Sequence, residues 1–155
     1  IETAMTETQI TTIFLGTDHA GFELKEAIKA HLDSSGYEIE DLGANWYDSE
    51  DDYPDFIRPV AEAVAKDPNS RGIIMGGSGQ GEAMCANRVK GIRAVVYYGG
   101  PDDIIKLSRQ HNNANILSFG ARFISEEEAL IVLDVWLSLP FEGDRHQQRI
   151  DKLDE

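Results

Sequence analysis

Arg71-Gly-Ile-Ile-Met-Gly-Gly-Ser-Gly-Gln-Gly-Glu82 is the stretch that decides the fold. Residues 72–75 are a short apolar run, the pattern of a buried strand. Glycines follow at 76, 77, 79 and 81, and the chain resumes as Glu82-Ala-Met-Cys-Ala-Asn-Arg88, rich in helix formers. The reading is strand, glycine turn, helix. Such a turn aims several main-chain N–H groups, backed by the helix dipole, at one point. That point suits an anion, or an oxygen that becomes one during a reaction.

A phosphate or dinucleotide cradle is the common use of a glycine turn. Here the spacing Gly77-Ser-Gly-Gln-Gly81 does not fit G-x-G-x-x-G, and the P-loop lysine is absent. Glu82 would also repel a phosphate. Two readings of Glu82 stand on spacing alone. It either stabilises the dipole from the first helical turn, or it removes a proton from carbon while the N–H groups hold the resulting oxyanion.

Outward from this stretch, strand and helix alternate. Thr12-Ile-Phe-Leu-Gly16 reads as a buried strand, followed by the polar turn Thr17-Asp-His-Ala-Gly21. Leu24, Ala27, Ile28 and Leu32 recur at helical spacing, and Gly36 stops that helix. Tyr37-Glu-Ile-Glu-Asp-Leu-Gly43 alternates as a half-exposed strand, and residues 45–52 are acidic and turn-rich. Pro54 starts a helix with the stripe Ile57, Val60, Ala61 and Val64. After the glycine turn come a strand over 91–98, a short helix over 102–110 running into His111-Asn-Asn113, and a strand over 115–120. Ser125-Glu-Glu-Glu128 reads as a capping box for a last long helix, with Ala129, Val132, Leu133 and Trp136 inward. Leu139-Pro140 ends it, and a polar tail carries Arg145, His146 and Arg149.

Alternation of this kind predicts an α/β fold. It is a three-layer αβα, Rossmann-like (flavodoxin-like) domain with five parallel strands in the order 2-1-3-4-5. That order puts the switch point between strands one and three, so the Asp18-His19 turn and the residue 76–82 turn face one crevice. Residues 12–155 form the single domain. Ile1-Glu-Thr-Ala precedes Met5, so residues 1–11 are expected to be a cloning remnant and a poorly ordered lead-in.

The chain has 14 Lys and Arg against 28 Asp and Glu, a net charge of −14. That disfavours nucleic acid and anionic membranes as partners. A small phosphorylated ligand remains compatible, since salt screens repulsion beyond roughly 8 Å. The lone Cys85 excludes an internal disulfide and fits a cytoplasmic setting.

Seven motifs occur in one order: Asp18-His-Ala-Gly21, Asp52-Tyr-Pro54, Gly76-Gly-Ser-Gly-Gln-Gly-Glu82, Ala86-Asn-Arg88, Gly91-Ile-Arg93, Arg109-Gln-His-Asn-Asn113 and Arg145-His-Gln-Gln-Arg149. Together they resemble the ribose-5-phosphate isomerase B family of sugar-phosphate isomerases, over residues 13–153. The resemblance implies aldose–ketose isomerisation through a cis-enediolate, with no metal and no organic cofactor. It also implies a homodimer or tetramer whose sites lie between subunits. Many members carry a catalytic cysteine at the end of the third strand, where this chain has Gly76, and Cys85 lies too far along to replace it. A second branch has a glutamate at the place of Glu82, and this sequence is similar to that branch.

The resemblance assigns expected roles. Glu82 moves the proton between C1 and C2. His111 opens the sugar ring with Asp18. Gly77, Ser78, Gly79, Gln80 and Gly81 hold the enediolate oxygen, with Asn112 as a further donor. Tyr53 lines the sugar site, although packing before Pro54 explains it nearly as well. Arg122, Arg145 and Arg149, with His19, bind the phosphate, since guanidinium matches phosphate bidentately. His111, Asn112 and Arg122 are expected from the neighbouring subunit. Ribose 5-phosphate is the leading substrate. Tetrose-, allose- or galactose-phosphates are the rivals on the same site, and a non-catalytic phospho-ligand-binding module is the rival of another class.

Overall fold

The structure is a computed structural model that describes residues 9–155. Most of the expected remnant, residues 1–8, lies outside the described residues. At the end of the lead-in, Thr11 N–H donates to the Asn69 carbonyl at 3.0 Å, and its hydroxyl donates to Asp67 Oδ2 at 2.6 Å.

Five parallel strands form one sheet: β1 (Ile13–Thr17), β2 (Ile39–Asp41), β3 (Arg71–Gly76), β4 (Ala94–Tyr97) and β5 (Ile116–Gly120). The helices are α1 (Phe22–Ser34), α2 (Pro54–Lys66), α3 (Gln80–Ala86), α4 (Asp102–Gln110), α5 (Glu126–Ser138) and α6 (Arg145–Ile150). A 3-10 turn, His19–Gly21, links β1 to α1. Helices α1, α4 and α5 bury one face of the sheet, with Leu24, Ile28, Ile105 and Trp136 inward. Helices α2 and α3 bury the other. All four residues of the α2 stripe are buried, each a contribution of roughly 1.5–3 kcal/mol for the larger side chains. Ser125 caps α5 as the capping box predicts, its Oγ accepting the Glu128 N–H at 3.1 Å.

The order is 2-1-3-5-4, which corrects the expected 2-1-3-4-5. β5 is buried at every residue and belongs in the interior, whereas three of the four β4 residues are half-exposed, as befits an edge. β5 is also built to lie under the glycine turn. Ser118 Oγ donates to the Gly79 carbonyl at 2.7 Å, and a Cβ on Gly120 would come within 2.6 Å of the Ser78 carbonyl oxygen. The exchange leaves the switch point between β1 and β3 in place.

Candidate active site

Thr17 is in register with Met75, so β1 and β3 end side by side. Asp18 and Gly76 leave the sheet next to each other. Asp18 is buried and caps the 3-10 turn, Oδ1 accepting the Ala20 N–H at 3.0 Å. Gly79 takes φ 79°, a left-handed conformation that lets the loop turn into α3.

Glu82 stands in the first turn of α3 but does not face solvent: it is 4% exposed. Its side chain folds back over the end of β3, where a Cβ on Gly76 would overlap both carboxylate oxygens. The carboxyl thus fills the volume that a side chain at 76 would claim. Burial pushes its pKa up, the nearby Asp18 charge adds to that, and the N–H groups of Glu82 and Gly79 oppose it. A carboxyl moved towards neutrality is suited to accepting and returning a proton. Asp18 is also raised, chiefly by burial. The two acids form a like-charged pair at the bottom of one crevice.

Around them the same chain supplies four more of the expected residues. The Tyr53 hydroxyl lies 2.8 Å from where a Cβ on Gly81 would sit, so the phenol covers the loop. Ser78 Oγ accepts the Gln80 N–H at 3.2 Å, which commits that amide to the loop, and the Gln80 residue itself is exposed. Arg122 donates its N–H to the Gly77 carbonyl at 3.1 Å, and its guanidinium lies over Gly77, 3.0 Å from the position of a Cβ there. Arg122 therefore belongs to the same chain's Glu82 loop. This corrects its expected origin in a neighbouring subunit: it follows β5, and β5 sits beside β3.

His19 is held by Asp51. The carboxylate Oδ1 accepts the His19 main-chain N–H at 3.1 Å and lies 2.7 Å from its ring Nδ1. That contact raises the imidazole pKa and leaves Nε2 as the free nitrogen. Tyr47 packs edge-on against the ring. Asp51 Oδ2 is buried with no partner among the described residues.

His111, Asn112, Arg145 and Arg149 are elsewhere. α4 runs back from the end of β4 to the start of β5, so its C-cap, His111, lies at the opposite, N-terminal edge of the sheet. Arg93 before β4 donates to the Asn113 carbonyl at 2.7 Å and to Asn115 Oδ1 at 2.8 Å, which fixes that placement. The His111 ring stacks on His146 of α6 with centroids 4.2 Å apart, and its Nε2 is 3.6 Å from Glu142 Oε1. α6 continues along this edge, where Asp154 beyond it accepts the Gly91 N–H at 2.9 Å. Arg145 and Arg149 share α6 and flank His146, holding its pKa down after burial. A five-residue strand spans on the order of 16 Å, so no side chain of this edge reaches Glu82 within one chain.

Sequence reasoning missed two of these residues. Asp51 lies 32 positions from His19 in an acidic turn, and its only signal was adjacency to Asp52-Tyr-Pro54. His146 was read within a motif of two arginines, and nothing in spacing reveals a ring stack across 35 positions.

Among the described residues two groups place potential metal ligands within 4.8 Å of one another: Asp18, His19 and Asp51, and His111, Glu142 and His146. In the first, His19 Nδ1 is already committed to Asp51. In the second, Arg145 and Arg149 flank the imidazoles and disfavour a cation.

Residues 13–153 match a family model described as Ribose/Galactose Isomerase. Ribose-5-phosphate isomerase B of Mycolicibacterium paratuberculosis is 44% identical over 144 residues, spanning 92% of this chain and 89% of that protein. The crystal structure of ribose-5-phosphate isomerase B from Mycoplasma genitalium with bound ribulose-5-phosphate superposes with TM-score 0.88 at 42% identity. It covers 92% of this chain and 93% of that one. A Thermotoga maritima ribose 5-phosphate isomerase structure gives 0.86 at 42% identity, covering 93% and 97%. No described helix is long and apolar enough to cross a membrane.

Proposed function

The chain belongs to the ribose/galactose isomerase family, and from that premise we propose how its two edges perform the isomerisation. It is an aldose–ketose isomerase that interconverts ribose 5-phosphate and ribulose 5-phosphate. The observation that carries the mechanism is the buried Glu82 carboxyl over Gly76, beside Asp18. His111 and Asp18 exchange the ring-oxygen proton to open the sugar. Glu82 takes the proton from C2 of the aldose. The C–H electrons form the C1–C2 double bond, and the charge moves to the carbonyl oxygen, held by the amides of the residue 77–81 turn other than that of Gln80. The O2 hydroxyl proton then passes to O1, the C2 carbonyl forms, and the C1–C2 electrons take the same carbon proton, or one exchanged with solvent, at C1 to give the ketose. Members of this chemistry require no redox cofactor, since the electrons stay within the sugar.

Glu82 and His111 lie at opposite edges of one chain, so a complete site needs a second copy. Its His111 and Asn112 would meet the Glu82 crevice, and its Arg145 and Arg149 would join Arg122 and His19 around the phosphate. The protein acts as a homodimer or tetramer with shared sites. The cytoplasm and the pentose phosphate pathway are the setting this reading implies. A non-catalytic binder is disfavoured, because holding a carboxylate away from water beside another acid costs stability and serves no phosphate contact.

The substrate assignment is tested by ranking four-, five- and six-carbon aldose phosphates by kcat/KM. Ribose 5-phosphate should lead; a tetrose or hexose phosphate ahead of it would reassign the substrate.

Two variants probe the site directly. Gly76→Ala puts a methyl group where the Glu82 carboxylate lies. The flexible glutamate can swing away, so melting should change little while kcat falls about 10²-fold or more. Retained turnover would show that the carboxylate position is unimportant. Asp18→Asn keeps an acceptor for Ala20 but removes the charge that raises Glu82. The acidic limb of kcat/KM against pH should move to lower pH. A limb that stays put would belong to another group.

A further inference from the structure

The N-terminal edge also bounds a cavity of about 1090 Å³, lined by Thr11, Tyr37, Asn69, Arg71, Arg109 and Leu139 among others. None of the residues assigned to the sugar-phosphate site lines it. Arg71 opens β3 and Arg109 closes α4, and they are only 6% and 3% exposed. Buried guanidiniums normally face a carboxylate. Among the described residues neither has one within ion-pair distance. Glu38 borders the cavity but is exposed and makes no ion pair there.

The two arginines differ in how well they are satisfied. Arg109 donates to the Leu139 and Ala114 carbonyls at 3.1 and 2.6 Å and to Asn113 Oδ1 at 3.0 Å, enough to explain it as a clamp on the chain after α4. Among the described residues Arg71 donates through Nη1 alone, to the Ser70 carbonyl at 2.9 Å. Its Nε and Nη2 have no hydrogen-bond partner among the described residues, and Arg71 lines the cavity. A guanidinium offers five donors in a planar fork that fits an oxyanion.

We infer that this cavity is a second oxyanion site, in which Arg71, with the Arg109 charge beside it, binds a phosphate-class ligand at a distance from Glu82. Burial and the neighbouring Arg71 and Arg93 pull the Arg109 pKa down to about 9, and burial and Arg93 lower that of Arg71. A bound dianion would relieve both effects. The inference does not rest on the isomerase reading.

The test is a ¹H–¹⁵N NMR titration of the full chain with inorganic phosphate, alongside Arg71→Leu and, should that fold poorly, Arg71→Gln. The amides of Tyr37, Asn69 and Arg71 should shift along a saturating curve. The variant should lose those shifts and keep any at residues 77–81. In phosphate-free buffer Arg71→Leu should melt no lower than the parent, and phosphate should stabilise it less. Absent or non-saturating shifts at Tyr37 and Asn69, or shifts unchanged in the variant, would overturn the site. So would a change at the Arg71 side-chain resonance on Glu2→Gln or Glu7→Gln, since the arginine's partner would then be the chain's own N-terminal residues.

Discussion

Glu82→Gln is expected to lower kcat by roughly 10²–10⁴-fold with little change in KM. The amide has the shape of the carboxyl and fits the same volume over Gly76, but it cannot accept a proton from carbon. Substrate contacts made by the loop amides and the phosphate clamp stay in place, so binding is retained. A fold-level control accompanies the prediction. The Glu82 pKa is raised in the folded chain, mainly by burial. The stability linked to that proton is present below the unfolded pKa and is lost as pH rises through the folded one. Above the ordinary carboxylate range this buried carboxyl is therefore a cost to the fold, and at pH 7.5 the glutamine variant should melt no lower than its parent. A variant that is inactive and also markedly unstable would point to a structural role instead.

Loss of His111 is expected to be of similar size, and its second consequence is more informative. Glu82→Gln and His111→Asn are each nearly inactive alone. Mixed in equal amounts, unfolded and refolded together, they should recover activity. Half of the resulting dimers are mixed, and each mixed dimer has one site with both residues intact, so recovery should approach about a quarter of the parent activity. The reason is the separation of the two residues across the sheet. His111 caps α4 at the edge where strands begin, while Glu82 lies where they end. No recovery, with mixed dimers shown to form, would mean that each chain completes its own site.

Much of the crevice was legible from residue order. Alternating strands and helices imply a parallel sheet, and a parallel sheet gathers every strand's end at one edge. That logic put Asp18 and Glu82 together; applied to the end of β5 it would also have put Arg122 there, which was expected from a neighbouring subunit instead. The order of the last two strands was not legible, because β4 and β5 are similar short runs of apolar residues. What separates them is which face a neighbour covers, and that depends on Ser118 and Gly120 meeting the glycine turn. The buried position of Glu82 was only half legible. Helical spacing places it in the first turn of α3, but its direction is set by the space that Gly76 leaves open. The Asp51 contact to His19 was invisible, since it joins two loops with no periodicity in either. The arginine pair at 71 and 109 was equally hidden: nothing in the spacing joins them, and only the start of β3 against the end of α4 brings them to one cavity.

The most direct measurement of the Glu82 assignment is the fate of substrate hydrogen in deuterated water. Ribose 5-phosphate incubated with the parent protein should acquire deuterium at C2 and yield ribulose 5-phosphate labelled at C1, at rates comparable with turnover. With Glu82→Gln the sugar phosphate should still bind, seen as line broadening of its phosphorus resonance, and should take up no deuterium beyond the uncatalysed rate. Deuterium entering at an undiminished rate in that variant would contradict the account, because some other group would then be removing the proton from carbon.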